Sequence, residues 1–189
     1  MTPKGRKAGK WPSYCMMNVG FWGKEKGRLH RFFLWSQVSI PMDVPLNLKG
    51  GNCTCTEAHM TGHVCVTPEE AAAYPEWMSD VRELEGDLDI RKLVTITWRT
   101  GRLSFSAPQR LEMFWHAEGM KTSFSGWVRL NGEEYRVKPE TCYGYADKNW
   151  GSDFTSPWVW LSSNDLVSNL TGQRLRNSVF GVGGGRPKV

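Results

Sequence analysis

The residues best suited to chemistry in this chain lie between Glu112 and Trp160. Tyr145-Ala-Asp147-Lys148-Asn149-Trp150 gathers a phenol, a carboxylate, an ammonium, an amide and an indole within six positions, and Phe154, Trp158 and Trp160 follow closely. A carboxyl group set among indoles is desolvated, which raises its pKa and lets it hold a proton at neutral pH. The electron-rich faces of the rings can then stabilise a cation. Trp158 and Trp160 stand two apart, so an extended strand turns both rings to one face. The plain alternative is a surface Asp147–Lys148 pair that contributes little, a turn shaped by Asn149 and Gly151, and indoles that fill a core.

A second constellation is Glu112-Met-Phe-Trp115-His116-Ala-Glu118. In a strand Glu112, Phe114, His116 and Glu118 share one face, with His116 the natural proton shuttle between two carboxylates. The same alternation also fits a solvated outer face, with Met113, Trp115 and Ala117 turned inward. A third group, Cys53, Cys55, His59, His63 and Cys65, has the residue types of a zinc site, but its spacing fits no finger or ribbon. With Cys15 and Cys142 the cysteines number five. That odd count suits free, buried thiols in a reducing, cytoplasmic setting. The Gly183–Gly185 run lacks the Lys-Ser/Thr of a phosphate loop. Neither a metal nor a cofactor is expected.

Bulk properties narrow the partners. The chain has 189 residues and a net charge of +5. Seven of its 24 basic residues fall between Lys4 and Arg28, and the rest are mixed with acids. This describes a solvated basic leader rather than a nucleic-acid face. Mean hydropathy is −0.47, and no run approaches the ~18 apolar residues of a membrane helix, so no integral membrane segment is expected. Ten Trp in a 12% aromatic content imply an aromatic-walled core or an aromatic-walled pocket.

The elements that must position these side chains are short strands. Residues 1–13 read as a flexible basic lead-in, and 14–189 as a single β domain. Cys15–Trp22 and Leu29–Ile40 flank a charged turn and form a hairpin. Strands follow at Cys53–Glu57, Met60–Val66, Val81–Ile90, Leu93–Arg99, Leu111–Glu118, Ser123–Leu130, Glu134–Val137, Cys142–Ala146, Pro157–Ser163 and Ser178–Val182. Asn131-Gly132 is the strongest hairpin signal. One short surface helix is expected near 68–74, where Thr67 caps, Pro68 takes the first position and Glu69-Glu70 complement the dipole. The spacing implies an all-β antiparallel sandwich or barrel. The glycine run at 183–185 is read as following the last strand without a closing partner, which leaves an open sheet edge through which an oligomer could form.

The stretch Gly126-Trp127, Asn131-Gly132-Glu133-x-Tyr135, Tyr145-x-Asp147-Lys148-Asn149-Trp150-Gly151, Phe154, Trp158-x-Trp160 and Asn164 resembles the central signature of tocopherol cyclase-like proteins. The resemblance implies lipocalin-like β halves around an apolar cavity, of which this chain would form the N-terminal portion. It also implies ring closure on a prenylated quinol or a similar isoprenoid, with a non-catalytic lipophile carrier as the alternative. That reaction needs a proton for a trisubstituted alkene, a wall for the tertiary cation and exclusion of water. In this reading Asp147 is the acid or organises it, with Lys148 and Tyr145 beside it. Trp150, Trp158, Trp160, Asn149, Phe154, Glu112 and His116 contact the apolar small-molecule substrate.

Overall fold

The computed structural model describes residues 14–23, 26–41, 46–73, 75, 82–95, 113–151 and 157–185. They are almost entirely β, and the chain divides into two compact units, Met1–Ile90 with Ser125–Lys138 and Arg91–Phe124 with Pro139–Val189.

In the first unit, β1 (Tyr14–Trp22) and β2 (Lys26–Leu34) pair over nine residues, Tyr14 opposite Leu34 and Trp22 opposite Lys26. A 3-10 turn at Trp35–Gln37 ends the second strand earlier than the sequence suggested. The strands that follow are β3 (Val38–Ser39), β4 (Asn47–Gly50), β5 (Cys53–Thr56), β6 (His59–Cys65), β7 (Glu83–Val94), β8 (Met113–Leu130) and β9 (Glu133–Val137), with the end of β7 from Arg91 and the start of β8 up to Phe124 belonging to the second unit. They neighbour one another in sequence order, a meander in which the second half of β8 pairs with β9. Asn131 and Gly132 join those two strands with φ of 50° and 86°, the two left-handed residues of a type I′ turn. Asn131 also pins the turn to β7, exchanging hydrogen bonds with the Glu83 backbone through its own N–H at 2.9 Å and its side-chain oxygen at 3.0 Å.

The core of this unit is built from Leu29 of β2, Cys53 of β5, Val64 of β6 and Val66, with Met17, Ala71 and Leu84 against them. Burial pushes the Cys53 and Cys15 thiols above their ordinary pKa. Helix α1 (Pro68–Ala73) starts from a reciprocal cap: the Glu70 N–H donates to Thr67 Oγ1 at 3.2 Å, and Thr67 N–H donates to the Glu70 carboxylate at 3.1 Å. Glu70 also takes two bonds from Arg31, at 2.7 and 2.8 Å, which ties the helix to β2.

In the second unit, β10 (Tyr143–Gly151) pairs with the first half of β8. Strands β11 (Trp158–Ser163), β12 (Leu166–Val167), β13 (Arg174–Leu175) and β14 (Phe180–Gly185) nest as one long hairpin, β11 with β14 and β12 with β13. Two register shifts, between Gly144 and Ala146 and between Ala146 and Asp147, each insert an extra residue on the β8 side. These bulges break the inside–outside alternation. The consecutive Met120, Lys121, Thr122 and Ser123 are all buried as a result. The Lys121 ammonium is accommodated by a 2.8 Å bond to the Arg176 carbonyl and by the Tyr143 ring, 5.0 Å away.

Three strand readings change. Val81–Ile90 and Leu93–Arg99 are not separate; β7 runs unbroken through Arg91 and Lys92 to Val94, while Val81 and residues 96–99 lie outside the described residues. Leu111–Glu118 and Ser123–Leu130 are likewise one strand, because the bulges absorb Gly119–Thr122 without a turn. The glycine run is part of β14, paired with β11. No sheet closes into a barrel among the described residues, and an all-β sandwich-like fold fits them. No helix among them is long and apolar enough to cross a membrane.

Candidate functional site

Strand β10 carries Tyr145, Asp147 and Asn149 two apart, hence on one face. The structure joins them directly. Tyr145 Oη donates to Asp147 Oδ2 at 3.3 Å, and Asn149 Nδ2 donates to the same oxygen at 3.1 Å. Alternation turns Lys148 to the opposite face of the strand. Two bulges immediately before Asp147 set the aim of this row, and bulges are common beside active sites.

The aromatic wall comes from β11. Trp160 meets the Tyr145 ring at 5.7 Å between centroids, with planes inclined by 46°. Trp160 also lies over Gly183 of β14, its partner in register. A Cβ at Gly183 would fall 2.7 Å from the indole, which is why this strand tolerates and needs glycine there. Trp158, opposite Gly185, shares the face of Trp160 and is 71% exposed. Asn164, just past β11, donates to the Gly144 carbonyl at 2.9 Å and fixes β11 to the start of the acid-bearing strand. Tyr143, two residues before Tyr145, has its phenol pushed above its ordinary pKa by burial and by the neighbouring Asp165 carboxylate.

Tyr145, Asp147, Asn149 and Trp160 therefore come together. Trp150 continues β10 opposite Phe114, and His116 lies opposite Lys148 in the register of β8 and β10. Glu112 and Phe154 lie outside the described residues. Asp147, Lys148 and Asn149 are exposed and Trp160 is half-buried. The arrangement is thus an open acid-and-aromatic face, not an enclosed chamber. The Tyr145 and Asn149 bonds follow from the strand period, since residues two apart on a strand are neighbours, whereas Lys148, adjacent in sequence, falls on the other face.

The cysteine and histidine group is arranged for strand pairing. His59 Nδ1 lies 3.1 Å from Asp89 and His63 Nε2 lies 2.6 Å from Glu83, both across the β6–β7 pair. No group of three or more His, Cys, Asp or Glu among the described residues is placed to hold a metal. A concave region of about 350 Å³ in the first unit escaped the sequence reading. Arg31, His63, Cys65 and Glu70 line it, but Arg31 is committed to Glu70 and to the Cys65 carbonyl at 2.6 Å, so its polar wall is a structural clamp.

The signature that links β10 to β11 extends to most of the chain. The tocopherol cyclase-like family profile matches residues 53–188, from the start of β5 to beyond the end of β14. No curated protein and no solved structure matches the chain. A match over this share of the 189 residues places the chain in the tocopherol cyclase-like family.

Proposed function

We propose that the protein binds an isoprenoid-like apolar ligand on the β10–β11 face and closes a ring on it, as an intramolecular cyclase of a prenylated quinol. The observation that carries this reading is the Tyr145–Asp147–Asn149 row beside Trp160, in the segment that carries the family signature.

The step balances within the substrate. Protonated Asp147 delivers its proton to the less substituted alkene carbon, leaving a tertiary cation. The quinol oxygen adds to that cation and forms the C–O bond. The proton lost from that oxygen returns to the carboxylate, so the product is an isomer of the substrate. Tyr145 and Asn149 hold the acid in place. The indoles of Trp158 and Trp160 face the cation, each desolvated contact contributing ~2 kcal/mol. The ligand, lying across these rings, displaces the water that would otherwise trap the cation as an alcohol. The five unbridged thiols suit a cytoplasmic location.

A second reading is a carrier that holds the same lipophile unchanged. The exposure of Asp147 and Trp158 favours it, because a wet carboxylate is poorly suited to protonating an alkene. Incubation with a prenylated quinol, followed by product analysis, separates the two. Appearance of the chromanol isomer supports the cyclase. Tight binding with quantitative recovery of the quinol supports the carrier. Absence of both binding and conversion overturns both.

A further inference from the structure

The β11–β14 hairpin has a second end. Beyond Trp158 and Trp160 at its root, the chain runs through β12 to a turn at Ser168–Gln173 and returns through β13. This turn is firmly built. Ser168 N–H donates to the Gln173 carbonyl at 2.9 Å and Gly172 N–H to the Ser168 carbonyl at 2.8 Å. Ser168 Oγ accepts from the backbone N–H groups of Leu170 and Thr171, and Gly172 takes the left-handed φ of 68° that the reversal requires.

A turn held this closely nevertheless presents Leu170 at 97% exposure, with Val167 at 54% beside it. From Leu166 to Gln173 the sequence contains no charged residue. Charge begins just behind: Arg174 pairs with Asp165 at 3.3 Å, and Arg176 adds a second cation. Arg174 is paired in register with Val167, and Leu170 lies three residues further, at most ~10 Å along the strand direction. That matches the depth of ~5–10 Å to which interfacial elements bury their apolar side.

We propose that the tip of this hairpin docks on a bilayer surface that carries anionic headgroups. Leu170 and Val167 enter the boundary of the acyl chains, while Arg176 stands at the phosphates beside the Arg174–Asp165 pair. The size of the tip points to lipid rather than to a second copy. A stable dimer needs roughly 20–30 residues and ~800 Å² from each partner, whereas this tip offers ten residues, 166–175. A bilayer requires only apolar depth and positive charge, and residues 165–176 carry two arginines against one aspartate. The inference does not depend on ring closure by Asp147.

The test is co-sedimentation of the full chain with phosphatidylcholine vesicles and with vesicles that also contain phosphatidylserine. The wild type partitions to the second kind, and 0.5 M salt weakens it. Leu170→Asp lowers the partition coefficient about tenfold and leaves the circular dichroism and melting curve unchanged, while Leu170→Phe retains binding. Arg176→Gln, which keeps the carbonyl that Lys121 uses, reduces the preference for phosphatidylserine. Failure of the wild type to bind either vesicle, or equal binding by Leu170→Asp, overturns the proposal. A wild-type dimer that Leu170→Asp converts to monomer, with no vesicle binding, assigns the tip to a second copy and overturns it equally.

Discussion

Tyr145 packs its ring against Trp160, 5.7 Å between centroids, and donates its hydroxyl hydrogen to Asp147 across 3.3 Å. One side chain thus couples the acid to the aromatic wall. The two functions separate by mutation. Tyr145→Phe keeps the ring contact and removes one bond to the Asp147 carboxyl, a loss of about 0.5–1.5 kcal/mol for a hydrogen bond to a neutral group. Quinol conversion falls about 2–10-fold, while affinity for the lipophile changes little. Initial rates and equilibrium binding measured side by side check this. Equal losses in both assign the residue to binding alone.

Gly183 is the floor beneath Trp160. Gly183→Ala places a methyl group 2.7 Å from the indole, so the ring must move. Overpacking of this kind costs about 1–3 kcal/mol. The near-ultraviolet circular dichroism of the variant changes, and its affinity for an apolar ligand drops. Gly184→Ala, where a Cβ meets nothing within 4 Å, is the matched control and behaves as wild type.

The first unit rests on Leu29, which is fully buried among Cys53, Val64 and Val66. Leu29→Ala costs ~2–5 kcal/mol, through lost transfer energy and a residual cavity. Urea denaturation measures it, and a cost below about 1 kcal/mol would contradict the packing described.

Glu70 links stability to pH. Arg31 holds its carboxyl below the ordinary range, and the Thr67 N–H adds to the effect. A carboxyl whose folded pKa is lowered stabilises the protein above its unfolded pKa of about 4.3. The stabilisation is lost as pH falls through the folded value. The wild type therefore loses denaturation midpoint below about pH 4.3 partly through this residue, and Glu70→Gln shows a shallower fall. Parallel slopes for the two proteins would show that the pair is screened out by solvent.

Local signals in the sequence were legible where they acted alone. The charged turn between β1 and β2, the Asn131-Gly132 reversal and the Thr67-Pro68 helix start all specify structure through a few adjacent residues. What the sequence concealed depends on partners far along the chain. Gly183–Gly185 reads as trailing the last strand without a partner until Trp160 is found opposite Gly183, 23 positions earlier. Gly119–Thr122 looks like a break until β10 is seen to accept two bulges there. Glu70 looks like a dipole residue until Arg31 reaches it from β2. In the candidate site, the aromatic pair Trp158 and Trp160 and the acid Asp147 were visible as types and spacing. The hydrogen-bond partners of Asp147 follow from the strand period, but its exposure depends on how the sheets leave that face open.

The central claim is that Asp147 supplies the proton for ring closure on this face. The direct measurement is chromanol formation from a prenylated quinol by the wild type and by Asp147→Asn, with matched melting temperatures and matched lipophile binding. The account predicts a rate reduced at least about 100-fold with binding retained. An Asp147→Asn variant that turns over at the wild-type rate would contradict it.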